Sequence, residues 1–245
     1  MNRQTLAESG TATTTAVHRT NGANGATPVP VARESRAVPA QQLVLAHQPY
    51  HPRSEQIRML RTELLLRHED TETANIIAVV SPGPGEGRSQ LAAELAIAFS
   101  QLGRPTLLVD ADLRNPQQHV LFNADGRQGL SQALVRDQMP HFQTVVGLPS
   151  LFLLTAGLVP PNPLDLLSDR RFERLVDEWQ QNFQFVVLDT PPVRQYADGL
   201  AVATIVGRIL SLSRARHTSY KDTRDMMRRL AATQSRILGA VINHF

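Results

Sequence analysis

The sequence contains no cysteine, which excludes disulfide frameworks, cysteine-ligated zinc, iron–sulfur clusters and thiol catalysis. It has a single lysine, Lys221, so its basic residues are almost all arginine. Aromatic residues make up 5% of the chain. No apolar run reaches the roughly 18 residues of a membrane span. The N-terminus lacks the basic start and apolar stretch of a secretory signal. We therefore expect a cytoplasmic protein that does not itself cross a membrane.

The charge of the chain is close to balanced. The net charge is +3 over 245 residues, and residues 1–45 contribute +2 of it through four arginines and two glutamates. A nearly neutral body argues against a nucleic-acid partner. Residues 207–236 hold a local excess of eight basic over two acidic residues. This segment suits an acidic partner or an anionic membrane face, and a solvated helix face remains an equal alternative.

The composition changes near residue 46. Residues 1–45 are rich in Thr, Ala, Gly and Pro and show no apolar period, which predicts a disordered tail. Residues 46–245 are long enough for one domain with a single sizeable core. The domain boundary is therefore predicted between residues 45 and 46.

Helical and strand-like segments alternate along the predicted domain. Apolar side chains at helical spacing or in short β-branched runs identify these segments. The predicted helices cover residues 54–68, 89–102, 169–182 and 218–234, and the predicted strands cover residues 75–81, 105–110, 151–156, 183–189, 208–213 and 237–243. The strands are continuously apolar rather than alternating, which is typical of strands buried on both faces. We expect an α/β fold with a mostly parallel sheet and helices on both faces.

A glycine-rich turn follows the first predicted strand. It reads Ser81-Pro-Gly-Pro-Gly-Glu-Gly-Arg-Ser89 and leads directly into a predicted helix. Glycines allow backbone N–H groups to surround an anion, and the helix N-terminus adds a favourable dipole. The turn therefore predicts a phosphate-binding loop, although a plain tight connection between strand and helix is the alternative.

Three carboxylates lie where two other predicted strands end. Asp110 and Asp112 end one strand and Asp189 ends another. The carboxyl ends of parallel strands meet at one edge of a sheet, so these side chains should lie near the glycine loop. Carboxylates suit Mg²⁺, and Ser89 has the position whose hydroxyl binds Mg²⁺ in such loops. For each aspartate taken alone, a cap at a strand end remains the alternative.

Four ordered motifs between residues 50 and 245 resemble the bacterial tyrosine kinases, and most closely the chain-length-determinant branch of exopolysaccharide synthesis. The motifs are Pro84–Ser89, Leu107–Pro116, Gly157–Pro163 and Val187–Pro192. The resemblance implies a P-loop NTPase fold of the partition-ATPase type. It also implies an ATP- and Mg²⁺-dependent protein-tyrosine kinase that regulates exopolysaccharide chain length and export.

The resemblance assigns roles to individual positions. It implies catalytic roles for Asp110, Asp112 and Arg88. It implies nucleotide binding by Gly83, Gly85, Glu86, Gly87, Arg88, Ser89, Gln90 and Asn243, the last beside the base. It implies Mg²⁺ coordination by Ser89, Asp110 and Asp189.

The resemblance also implies self-association and a membrane partner. In the family, a motif like Glu55-x-x-Arg58-x-x-Arg61 lies on the first helix and mediates ring-like assembly, and this spacing places the three residues on one helix face. A solvated charged face is the alternative. The expected partner is a membrane-spanning chain-length determinant, which would hold the protein at the inner membrane.

The sequence departs from the family pattern at two places. Position 88 is arginine where phosphate loops generally have lysine, and the two side chains are not equivalent. The chain also lacks a terminal tyrosine cluster; its tyrosines are Tyr50, Tyr196 and Tyr220, of which Tyr50 is the best acceptor candidate. Both departures favour an alternative function, an ATP-binding pseudokinase that acts as a scaffold for polysaccharide assembly. A partition-type ATPase is less favoured, because Gly83 stands where those proteins carry a signature lysine.

Overall fold

A computed structural model describes residues 15–16, 30–67 and 75–244. The strands in chain order are β1 (Thr15–Ala16), β2 (Pro30–Ala37), β3 (Asn75–Val80), β4 (Thr106–Asp110), β5 (Phe142–Val145), β6 (Leu148–Leu154), β7 (Phe185–Asp189), β8 (Arg208–Arg214) and β9 (Arg236–Asn243). The helices are α1 (Val44–His47), α2 (Pro52–Leu66), α3 (Arg88–Ser100), α4 (Gln118–Leu121), α5 (Leu130–Arg136), α6 (Pro163–Leu167), α7 (Arg170–Asn182), α8 (Asp198–Val206) and α9 (Tyr220–Ala231).

The strands form one sheet with the order β1-β2-β5-β6-β4-β7-β3-β8-β9. The pairs from β6 through to β9 are all parallel, as is the pair of β2 with β5. The pairs β5–β6 and β1–β2 are antiparallel. The predicted α/β fold with a mostly parallel sheet is confirmed. The β5–β6 hairpin was not predicted, because β5 is a short strand of mixed polarity that turns at Gly147 with a φ of +77°.

The central strands are buried on both faces, as their unbroken apolar sequences predict. In β3, Ile77 and Val79 pack into the core beneath α3, whereas Ile76 and Ala78 pack into the core on the opposite face. Trp179 of α7 is 1% exposed in the second core. Two helical layers therefore cover the sheet and hold its carboxyl edge in a fixed position.

The domain begins earlier than the predicted boundary between residues 45 and 46. Ala37, Leu43 and Leu45 are at most 1% exposed and belong to the core beneath α3. The Val44 N–H donates to Glu94 on α3, which ties this segment to the domain. The prediction of disorder is therefore wrong for residues 37–45, because helix α1 is too short to show an apolar period. Residues 1–14 and 17–29 of the predicted tail lie outside the described residues.

Helix α2 covers residues 52–66, close to the predicted 54–68. His51 caps it by accepting a hydrogen bond from Arg53 N–H, and Pro52 occupies the first turn. Ser54 is buried and donates to the Gln48 carbonyl. Ile57 and Leu64 are buried and face the core beneath α3.

Candidate functional site: a phosphate loop beside three aspartates

The glycine-rich turn connects β3 to α3 in a conformation that depends on its glycines. Gly85 and Gly87 have φ values of +74° and +90°, in the left-handed region that disfavours side chains. A Cβ atom at Gly87 would also collide with Asn243 Nδ2. Helix α3 begins at Arg88, directly after Gly87. The turn therefore has the geometry predicted for an anion-binding loop at a helix N-terminus.

The three predicted aspartates lie together at the carboxyl edge of the sheet. Asp110 and Asp189 are register partners on neighbouring strands β4 and β7, and Asp112 follows two residues after β4. All three are at most 3% exposed. Strand pairing thus brings together residues that are 79 positions apart along the chain, as the parallel sheet predicts.

Arg88 points into this group of aspartates. Its Nη1 donates to Ser81 Oγ at 2.6 Å and its Nη2 to Asp112 Oδ2 at 3.3 Å. Its Nε lies 3.4 Å from Asp189 Oδ1, within ion-pair distance. The Arg88 side chain is 8% exposed. The guanidinium therefore pairs with two carboxylates at the base of the phosphate loop.

The Asp110 carboxylate is held by backbone groups. Its Oδ1 accepts from Asp112 N–H at 3.2 Å, and its Oδ2 accepts from Gln117 and Gln118 N–H at 3.0 and 2.8 Å. Burial and the nearby charge of Asp189 raise the pKa of Asp110 well above its ordinary value, and these hydrogen bonds only partly oppose the rise. Asp110 thus organises the segment that follows β4.

Asp189 has a different environment. Burial raises its pKa, and the charge of Arg88 and hydrogen bonds from Ser89 and Gln118 oppose the rise. Its Oδ2 accepts from Gln118 Nε2 at 2.9 Å. Within the described residues, Asp189 Oδ1 is buried without a hydrogen-bond partner. Asp189 Oδ1 therefore has hydrogen-bond acceptor capacity that its ion pair with Arg88 leaves unfilled.

Gln118 is a residue of the site that the sequence does not predict. It is fully buried, and its Nε2 also donates to the Ser89 carbonyl at 3.0 Å, so it joins the start of α3 to Asp189. A glutamine in a polar segment after a strand carries no sequence signal. Only the folding of residues 111–118 back under the phosphate loop gives this side chain its position.

A cleft of about 510 Å³ opens above these residues. Its walls include the phosphate loop from Pro84 to Gln90 on one side and Asp112 on another, and Tyr196 lies at its edge. The Arg114 guanidinium lies 4.3 Å from the Tyr196 ring centre and pairs with buried Asp198. The cleft therefore brings the phosphate loop and the Asp112 carboxylate together, with the Tyr196 ring at its edge.

The remaining predicted nucleotide residues surround the loop. Glu86 is 3% exposed, and its carboxylate lies 3.4 Å from where a Cβ atom at Gly83 would be. Asn243, at the end of β9, donates through Nδ2 to the Glu86 carbonyl. Gln90 donates to the Gln42 carbonyl. Asn243 and Gln90 thus brace the loop and its helix, and contact of Asn243 with a base stays a prediction.

The three residues of the predicted assembly motif lie on α2 but differ in their surroundings. Glu55 is exposed and pairs with Arg58 at 3.3 Å, and Arg58 also donates to the Pro49 carbonyl. Arg61 instead donates to the Ala98 carbonyl in the last turn of α3. Burial lowers the pKa of Arg61. Glu55 and Arg58 therefore lie nearer to the surface than Arg61, which helps to pack α2 on α3.

The described segments contain no helix that is both long and apolar enough to span a bilayer. They also contain no group of three or more histidine or acidic side chains placed so that they alone could coordinate a metal ion. Mg²⁺ sites do not require three protein ligands of this kind, because one or two carboxylates with phosphate oxygens and water are enough.

The strand order and the glycine-rich loop are those of the P-loop NTPase fold of the partition-ATPase type. The structure is similar to the cell division ATPase MinD of Pyrococcus furiosus, with a TM-score of 0.58 at 21% identity, covering 70% of this chain and 73% of that one. This likeness concerns the fold alone. No protein-family model matches the chain.

Closer relatives identify the family. Tyrosine-protein kinase YwqD of Bacillus subtilis is 33% identical over 214 residues, which cover 86% of this chain and 90% of the relative. The chimerical protein CapA2B2 has a TM-score of 0.78 at 31% identity, covering 85% of this chain and 93% of that one. The kinase domain of Escherichia coli ETK has a TM-score of 0.77 at 30% identity, covering 82% and 79%. The chain belongs to the bacterial tyrosine kinase family.

Proposed function

We propose that this protein transfers the γ-phosphate of ATP to protein tyrosines and thereby regulates exopolysaccharide chain length and export. One observation carries the enzymatic part of the proposal: Arg88, Asp112 and Asp189 form a buried charged cluster directly beneath a phosphate loop. Phosphoryl transfer needs positioned groups and charge neutralisation more than covalent help, and this cluster can supply both.

The residues present fit Mg²⁺. Asp189 Oδ1 is a buried acceptor without a hydrogen-bond partner among the described residues, and the Ser89 hydroxyl lies beside the same carboxylate. We propose that Ser89 and Asp189 hold the ion and that Asp110 supports them from behind. When bound, Mg²⁺ would neutralise charge on the phosphates.

The other side chains of the site have complementary roles in this proposal. Asp112 lines the cleft, and its Oδ1 is fixed by the N–H groups of Arg114 and Asn115. We propose that Asp112 accepts the proton of the acceptor phenol. Arg88 would neutralise phosphate charge by exchanging its contact with the aspartates for one with the nucleotide, as its two-pronged donor geometry permits.

The biological context follows from the sequence resemblance, with partial structural support. An apolar cleft of about 410 Å³, lined by Ile57, Leu60, Leu91 and Val241, adjoins Gly87 and Asn243. A cytoplasmic segment of a membrane-spanning chain-length determinant could cover this cleft next to the nucleotide. In this proposal, that partner holds the protein at the inner membrane.

Self-association through α2 is part of the same proposal. Glu55 is exposed, and Met59 and Leu66 of the same helix are 63% and 79% exposed. We expect Glu55→Ala together with Arg58→Ala to lower the assembly size measured by sedimentation velocity. The matched control is Glu63→Ala, which removes another exposed glutamate of α2. An unchanged size would rule out this face as the contact.

A scaffold function is the second candidate, and Arg88 favours it. The guanidinium is paired with two carboxylates and a serine, so releasing it toward a nucleotide requires breaking those contacts. In a scaffold, bound ATP would control assembly without phosphate transfer. Arg88→Lys distinguishes the two functions, because a large gain in phosphate transfer would mean that the natural loop is impaired.

Phosphotyrosine mapping on protein purified from its own cells tests the proposed function. Asp189→Asn removes a proposed site residue, and Asp177→Asn removes a surface carboxylate of α7 as the matched control. We expect phosphotyrosine in the wild type and in Asp177→Asn, and none in Asp189→Asn. Tyr50 is 98% exposed and is the first acceptor to examine, by Tyr50→Phe. Absence of phosphotyrosine in all samples, with Mg·ATP still bound, would favour the scaffold.

A further inference from the structure

The outer side of the phosphate loop is held by one short turn. Arg214 Nη1 donates to the Gly85 carbonyl at 3.0 Å, and His217 Nε2 lies 3.3 Å from the Pro84 carbonyl. Thr218 Oγ1 donates to Glu86 Oε1 at 2.7 Å. Arg214 at the end of β8, and His217 and Thr218 in the turn that follows it, therefore contact three successive residues of the loop.

The direction of the Thr218 hydrogen bond is fixed by its surroundings. The Arg214 N–H donates to Thr218 Oγ1 at 2.8 Å, so the hydroxyl oxygen is already an acceptor there. The single hydroxyl proton is left for Glu86. Because the acceptor is a carboxylate at short distance, this is one of the stronger kinds of hydrogen bond.

The hydrogen bond from Thr218 acts on the phosphate loop through the Glu86 side chain. Its side chain is almost fully buried, and its Oε2 has no hydrogen-bond partner among the described residues. A buried carboxylate with one good donor depends strongly on that donor. Since Glu86 lies between the two glycines with positive φ, a shift of its side chain would move the backbone that should bind phosphate.

The turn itself is anchored in the sheet. Thr218 N–H donates to the Arg214 carbonyl at 2.9 Å, and Ala215 N–H donates to the Asn243 carbonyl at 2.8 Å. Asn243 in turn donates to the Glu86 carbonyl. The end of β9, the turn and the phosphate loop thus form one connected hydrogen-bonded unit.

We propose that Thr218 is a positioning residue that sets the shape of the phosphate loop by holding the Glu86 carboxylate. The inference rests on the proposed nucleotide-binding function. It adds that nucleotide affinity depends on a residue outside the phosphate loop. Thr218 acts through Glu86.

Nucleotide titration of four full-length proteins tests this inference. The proteins are the wild type, Thr218→Val, Thr218→Ser and Thr223→Val, and the probe is Mg²⁺ with a non-hydrolysable ATP analogue in a calorimeter. Valine keeps the shape of threonine but removes the hydroxyl, and serine restores the hydroxyl. Thr223 lies on α9 and bonds to Ser213 and the Ser219 carbonyl, so it is a matched control away from the loop.

We expect Thr218→Val to weaken binding about tenfold, which corresponds to about 1.4 kcal/mol. Thr218→Ser should recover most of the affinity, and Thr223→Val should bind as the wild type does. In kinase assays, Thr218→Val should raise KM for ATP while kcat at saturating ATP stays close to that of the wild type. Thermal unfolding of the apoprotein separates this effect from a general loss of stability.

Two results would overturn the inference while the proposed function stands: wild-type affinity in Thr218→Val, or equal weakening in Thr223→Val. A wild-type protein that binds no nucleotide would overturn the proposed function and this inference with it.

Discussion

Helix α3 takes part in two buried arginine–carboxylate groups that differ in how completely they are satisfied. In the packing pair, Arg53 Nε donates to Glu94 Oε2 at 2.8 Å and Val44 N–H donates to Glu94 Oε1 at 3.0 Å, so both carboxylate oxygens are engaged. In the site cluster of Arg88, Asp112 and Asp189, Arg88 Nε and Asp189 Oδ1 lie at ion-pair distance but form no hydrogen bond within the described residues.

This difference separates a structural from a functional use of buried charge. Buried polar atoms are nearly always hydrogen-bonded, so incomplete satisfaction calls for an explanation. The packing pair has no such deficit and holds residues 44 and 53 against α3. The site cluster keeps donor and acceptor capacity that a nucleotide and its metal ion could complete. Four sets of substitutions test this contrast between the packing pair and the site cluster.

Removing the carboxylate of the packing pair should give the largest loss of stability. Glu94→Ala leaves the Val44 N–H and the largely buried Arg53 without this acceptor, and we expect a loss of about 3 kcal/mol. Urea unfolding followed by circular dichroism measures it. Glu63→Ala is the control, because Glu63 is 64% exposed in its pair with Arg67. Equal losses in the two variants would contradict a packing role for Glu94.

Removing the cation of the site cluster should lower the free energy of unfolding by a smaller amount, and this amount should depend on pH. Arg88→Met removes the charge that opposes the raised pKa of Asp189. A carboxyl whose pKa is higher in the folded state loses stability as pH rises from its unfolded value toward its folded value. The difference in unfolding free energy between variant and wild type should therefore be small near pH 3, below the ordinary pKa of Asp189, and grow toward about 2 kcal/mol at pH 7.5.

Thermal unfolding of Arg88→Met and wild type across this pH range provides the measurement. Arg174→Met is the control, because Arg174 is 57% exposed in its pair with Asp137. A stability difference that does not change with pH would mean that Arg88 stabilises the protein by packing and not by its electrostatic interaction with Asp189.

Removing a neutral member of the site should have a smaller effect still. Gln118→Met keeps the side-chain volume but takes away the donor to Asp189 and to the Ser89 carbonyl. We expect a loss of about 1.5 kcal/mol in unfolding free energy. Mg²⁺ should also be needed at a higher concentration for nucleotide binding, because Asp189 would be less firmly held. Gln118→Asn keeps the amide on a shorter side chain, so its unfolding free energy and Mg²⁺ requirement should lie between those of the wild type and Gln118→Met. An unaltered Mg²⁺ requirement in Gln118→Met would contradict this role of Gln118.

The smallest expected effect concerns a hydrogen bond outside both charged groups. Ser219 caps α9 by accepting from Asp222 N–H at 3.0 Å. Ser219→Ala should cost about 1 kcal/mol, and Ser219→Thr should recover most of it. A loss in Ser219→Ala as large as that in Glu94→Ala would show that burial does not set the order of these effects.

The sequence was sufficient to predict six strands of the sheet, because each is a short and largely apolar run with a strong local signal; they are β3, β4, β6, β7, β8 and β9. It was also sufficient to bring Asp110, Asp112, Asp189 and the glycine loop together, since parallel pairing places strand ends at one edge. It did not predict β2, which has eight residues of mixed polarity, or the short helices α1 and α5. Nor could it predict that Arg88 pairs with the aspartates or that Gln118 and Thr218 contact the site. Those contacts depend on where loops fold in three dimensions.

The order of the strands in the sheet has a consequence for synthesis. β3 lies between β7 and β8, and Asn75 pairs with Phe185 while Ala78 pairs with Ile209, so both partners are made more than 100 residues later. At about 5–20 residues per second, β3 emerges roughly 5 to 20 seconds before β7. During that interval a bare apolar strand is exposed to the cell. The centre of the sheet is thus completed late in translation, and a chain stalled before residue 185 would present β3 to chaperones or to aggregation.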